Sequence, residues 1–131
     1  MASSTSGGGE TNLGLAPNIA GLLCYVPLCC GIGVLFSVVA AIVEKQSRFV
    51  RFHAFQALLF HGVSLALLVG LHITQSILAS FVPGPLSGLV WIVEIVLLAG
   101  LFAGAVFLMI KTNAGEEFEL PLFGAMARQW V

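Results

Sequence analysis

Long apolar stretches organise the chain, each closed by a short polar or helix-breaking segment. The first runs from Asn18 to Val43, and at 1.5 Å per residue it reaches about 39 Å, enough to cross a hydrocarbon core of about 30 Å with tilt. A second occupies 54–81 and a third 86–110. Between these two stands Val82-Pro83-Gly84-Pro85, where two prolines flank a glycine and no helix continues. The pattern predicts an all-α membrane protein with three transmembrane helices, spans two and three forming a tight hairpin. Pro27 is expected to bend the first span. Gly33, Ser37 and Ala41 recur every fourth residue and place small side chains where another helix can approach.

Composition supports that reading. Of 131 residues 59% are hydrophobic and 8% charged, where a soluble domain carries about 25%. Six Glu, no Asp and five Lys/Arg cannot cover a globule of this size. The net charge of −1, with no basic stripe, gives no reason to expect a nucleic-acid partner. Residues 1–17 read as a disordered tail. Met1 to Glu10 is rich in Ser and Gly and has no basic residue, so it lacks the start of a secretory signal, and the first helix is expected to be retained. Residues 18–127 form the membrane domain, and 111–131 a cytoplasmic segment. Lys45, Arg48 and Arg51 lie between spans one and two, and Lys111 and Arg128 follow span three. Because basic residues collect on the cytoplasmic side, the N-terminus is expected outside and the C-terminus inside.

Glu44 to Gln56 is the most distinctive segment. Its charges and aromatics do not separate into faces, so it is not a surface amphipathic helix. Ser47 is expected to cap the second helix, with Arg48 and Arg51 snorkelling among Phe rings at headgroup depth. Lys45, Arg48, Arg51, His53 and Gln56 are the candidates for lipid-headgroup or partner contact. Asn18-Ile19-Ala20-Gly21-Leu22-Leu23-Cys24-Tyr25, the string Arg48-Phe49-Val50-Arg51-Phe52-His53-Ala54-Phe55-Gln56, and the ending Leu120-Pro121-Leu122-Phe123-Gly124-Ala125-Met126-Ala127 together resemble the Tic-twenty-like family of small membrane proteins. That family is named for a component of the chloroplast inner-envelope import machinery. The resemblance covers roughly residues 18–127. It implies a shared helical fold in a multi-pass membrane protein, with a prokaryotic plasma-membrane relative as the expected identity.

Among the polar residues inside the apolar stretches, His61, His72, Gln75 and Glu94 are the candidates for an intramembrane role, with Ser64 and Ser76 on the same face of span two. An intramembrane carboxylate is expensive unless paired or neutral. A regular hairpin about 82–85 puts Glu94 at the depth of His72, and a hydrogen bond or ion pair between them is expected. The same register matches Gly62 with Gly104 and Ala66 with Gly100 as close-packing positions. Cys24, Cys29 and Cys30 lack the C-x-x-C spacing of a zinc or redox site and read as packing thiols. No nucleophile motif, phosphate loop or paired carboxylates occur, so neither an enzyme nor a cofactor or metal site is expected. Two roles remain: an assembly or accessory subunit working on a membrane-protein partner, or a homo-oligomeric channel or transporter using Glu94 and the polar face of span two.

Overall fold

The computed structural model describes residues 11–27, 31–82 and 84–131. Within them the chain is all-helical: α1 (Pro17–Cys24), α2 (Ile32–Val43), α3 (Arg48–Phe81), α4 (Pro85–Asn113) and α5 (Phe123–Gln129). The expected tail 1–10 and Pro83 lie outside the described residues, as do Cys29 and Cys30.

Two helices are long and apolar enough to cross a membrane. Helix α3 has 34 residues and α4 has 29, or about 51 and 44 Å of rise. Ser47 caps α3, its side chain accepting from Val50 N–H. Pro85 occupies the first turn of α4, where its missing N–H costs nothing. At the far end of α4 Gly115 takes φ 78°, its N–H bonding Thr112 O and that of Glu116 reaching Lys111 O. These are the left-handed closure and backward bonds that end many helices.

The expected first span is not one helix. Pro17 opens α1, which stops after eight residues; α2 has twelve, about 18 Å of rise, too little to span. Gly31, at φ 65°, starts the return. Pro27 therefore stands in a chain reversal and not in a bend. Gly33 makes the reversal tight: a Cβ there would sit 2.2 Å from Val26 O, so only glycine lets α2 lie against the end of α1. The small-residue row serves this contact, with Gly33 and Ser37 buried against α1.

The end of α1 leaves carbonyls without helical partners, and the apolar side chains around the reversal offer none. Two side chains supply them. His61 Nε2 donates to Cys24 O at 3.0 Å, and Ser37 Oγ lies 3.0 Å from the same oxygen and 2.6 Å from Gly33 O. His61, an expected intramembrane polar residue, thus holds the last carbonyl of α1.

Because α2 turns back, it ends where α1 began. Asn12 N–H donates to Glu44 Oε2 at 2.8 Å, and Asn12 Oδ1 accepts from Lys45 N–H and Gln46 N–H. Asn18 Nδ2 reaches Asn113 O at 3.4 Å. Residues 11–16, expected within the loose tail, are thereby tied to the 44–47 loop. Residue 12, that loop and the end of α4 all lie at one end of the molecule. The tip reaches the level of His61–Leu68 on α3 and Leu98–Ala105 on α4, where Pro27 joins those residues in lining a cleft of about 70 Å³. Beyond it, among the described residues, only α3 and α4 continue, for about 20 Å each.

Candidate functional site

The buried core lies at the end where the loops meet. Ala20, Cys24, Tyr25, Ala40, Val50, Ala54, Ala57 and Leu108 form one cluster there. Set into it is a polar network. Tyr25 O–H donates to His53 Nδ1 at 3.0 Å and accepts from Gln56 Nε2 at 2.9 Å. Gln56 Nε2 also donates to Phe118 O, and Gln56 Oε1 accepts from Leu120 N–H, both at 3.0 Å. One amide therefore bonds three times and clips residues 118–120 to α3. The His53 ring packs edge-on against Phe49, Phe52 and Tyr25. Gly124 sits so close to the clip that a Cβ would come 2.7 Å from Glu119 Cβ and 3.0 Å from Gln56 Oε1.

Two of the residues expected to touch headgroups or a partner are therefore interior. His53 and Gln56 are fully buried, and their bonds go to Tyr25 and the C-terminal segment. They face inward because α5 and the 116–122 strap, which the hydropathy pattern did not reveal, lie over this face of α3. Lys45 and Arg48 are exposed. Arg51 is half-buried: Nη2 donates to Trp130 O at 3.2 Å, and Phe55 lies beneath the guanidinium and against Trp130.

The remaining charges at this end are mostly paired. Buried Glu44 accepts from Asn12, Gln46 and Ser47 N–H groups, so its carboxylate closes the turn into α3. Lys111 pairs with Glu116 at 2.9 Å. Arg128 pairs with Glu119 and, at 3.2 Å, with Glu117, while lying over the Phe52 ring. The hydrogen bond that Arg128 donates to the Glu119 carboxylate is the main reason the guanidinium pKa is held above its usual range.

The far half of the hairpin is different. His72 Nδ1 lies 3.5 Å from Glu94 Oε1, with His72 73% exposed and Glu94 21%. Gln75 Oε1 is shielded and has no hydrogen-bond partner. The glycine register expected between these helices does not form: a Cβ at Gly62 or Gly100 would meet nothing within 4 Å, and one at Gly104 only the Phe60 ring. Ala66 is exposed. Phe60, Leu68, Leu101 and Phe102 line the cleft that opens beside Pro27 at this level. Among the described residues no three His, Cys, Asp or Glu side chains gather as a metal site.

The fold defines a small helical membrane protein: two apolar helices of spanning length, a short antiparallel helical pair beside them, and a polar cap at one end. The MamF/MmsF family model, described as the magnetosome magnetite crystal formation protein family, matches residues 11–127, and the chain belongs to that family. Two relatives from Methanocaldococcus jannaschii are described as UPF0132 membrane proteins. One is 38% identical over 124 residues, covering 93% of this chain and 94% of the relative. The other is 29% identical over 118 residues, covering 90% and 72%. No solved structure matches. The match overturns the Tic-twenty-like resemblance. All three strings that carried it fall inside the matched region, and they are the parts that pack as the cap: Gly21 and Tyr25, then Phe52 to Gln56, then Leu120 and Gly124.

Proposed function

We propose that this chain is a non-catalytic assembly or accessory subunit of a prokaryotic plasma membrane, with the cap, residue 12 and the C-terminal segment in the cytoplasm and the 82–84 turn outside. The orientation follows from Lys45, Arg48, Arg51, Lys111 and Arg128, all at the cap end. The observation that carries the assembly reading is the His72–Glu94 pair. It lies about 15 Å from the turn, on stretches of α3 and α4 that also expose Ile73, Ile77, Val93 and Val96. An ionisable pair facing lipid is costly, and another protein helix laid over it removes that cost. The family description speaks of magnetite crystal formation and the archaeal relatives are described only as membrane proteins, so what is carried to this chain from them is residence in a membrane.

Two measurements test it. With native cysteines replaced, Ala16→Cys and Ala114→Cys should react with an impermeant maleimide from the cytoplasmic side and Leu86→Cys from the other. Labelling of positions 16 and 114 from opposite sides would overturn the topology. A photo-crosslinking residue in place of Ile73 should capture a different membrane protein; lipid adducts alone would sink the assembly reading. A ladder of identical subunits with Glu94-dependent ion flux would support the second reading, an oligomeric channel, which rests on the same pair.

A further inference from the structure

The molecule has unequal thickness in the two halves of the bilayer. On the cap side of the re-entrant tip four helices lie side by side, α1 to α4. On the far side, among the described residues, there are two. A helix with side chains is about 10 Å across, so each occupies about 80 Å² of membrane plane, and the cap-side half displaces about 160 Å² more. The excess belongs to a fixed body: the tip is held by His61, Ser37 and the glycine contact at position 33, and its mouth by Asn12 on Glu44. The outer face of α2 (Ile32, Leu35, Val39, Ile42) is exposed and wholly apolar, a surface suited to lipid.

The cap adds to the same asymmetry. The 116–122 strap and α5 lie over the four-helix half, and exposed Lys45 and Arg48 stand at its rim, where headgroup phosphates attract them. The opposite end offers only a turn without charge. Lipids surrounding a body that is wide in one leaflet and narrow in the other must splay or compress unless the membrane itself bends.

We infer that the chain is a membrane-curvature wedge, favouring bilayers whose convex surface carries the cap. Its ligand is the shape of a lipid surface. The inference rests on the one-sided topology proposed above but needs no protein partner, so the two readings fail separately.

The test uses the full chain, fluorescently labelled and sparse, in giant vesicles of phosphatidylcholine with anionic phosphatidylglycerol, from which thin tubes are pulled. A protease-removable C-terminal tag sorts the vesicles into cap-out and cap-in populations. A protein that binds one membrane shape better than another shifts its distribution accordingly. Cap-out protein should be enriched on the tube relative to the flat membrane, by about twofold or more, and cap-in protein depleted. Equal density on tube and vesicle in both populations overturns the wedge, and so does sorting of the same sign in both. The tag also reports correct insertion, so loss of sorting cannot be blamed on misfolded material outside the bilayer.

Discussion

The two ends of the α3–α4 hairpin solve the problem of polar groups in opposite ways. At the cap end, Tyr25, His53, Gln56, Ser37 and His61 are buried, and each is bonded to an element distant in sequence. At the turn end His72 and Glu94 pair with each other across the hairpin, and most of the described side chains around them are exposed. A polar group whose partners are built into the fold contributes to a unique structure. One left on a lipid-facing surface contributes little to folding and is available to something else. The cap is where this protein is made stable, and the outer hairpin is where it has spare chemistry.

Substitutions should show that division as a gradient. Gly33→Ala forces a Cβ into the Val26 carbonyl, backbone against backbone, and should cost about 3 kcal/mol or more, read as thermal unfolding in detergent. Stability close to wild type would show that the re-entrant pair does not need its tight contact. Gln56→Ala leaves Leu120 N–H and Phe118 O without their partner and should cost about 2 kcal/mol, with residues 116–131 becoming sensitive to protease. Tyr25→Phe removes one hydroxyl while Gln56 keeps its bonds to the strap; about 1 kcal/mol is expected, and the strap should stay protected. Glu94→Gln should change detergent stability by no more than about 0.5 kcal/mol, because its partner is mostly exposed, yet reduce crosslinking from position 73. A large stability loss at Glu94 with none at Gln56 would reverse the comparison.

Much of the helical content was legible in the chain. The Ser47 cap, the stop around Gly84 and Pro85, and Gly115 closing α4 are local signals read from a few adjacent residues. The His72–Glu94 distance follows from one register about a short turn. What escaped was every feature decided by distant contacts. Hydropathy measures how apolar residues 18–43 are, and a run that crosses scores the same as one that turns back. The reversal is fixed by Asn12 meeting Glu44 and by His61 meeting Cys24, pairs 32 and 37 residues apart. Pro27 alone in an apolar run signals a bend, and the reversal needs Gly31 and Gly33 with it. His53 and Gln56 have Arg48 and Arg51 as sequence neighbours, but their bonded partners come from Tyr25 and from residues 118–120. The strap and α5 carry little apolar periodicity and left no mark that a hydropathy reading detects.

The returning path of α1 and α2 also bears on how such a protein is made. In the proposed one-sided arrangement α1 enters the bilayer and α2 comes back out on the same side, and neither helix carries a charged residue. The residues delivered to the far side are those around Val82, Gly84 and Pro85, none of them charged. Insertion then asks the cell to translocate one short apolar turn, a task that a helical hairpin entering as a unit performs with little help.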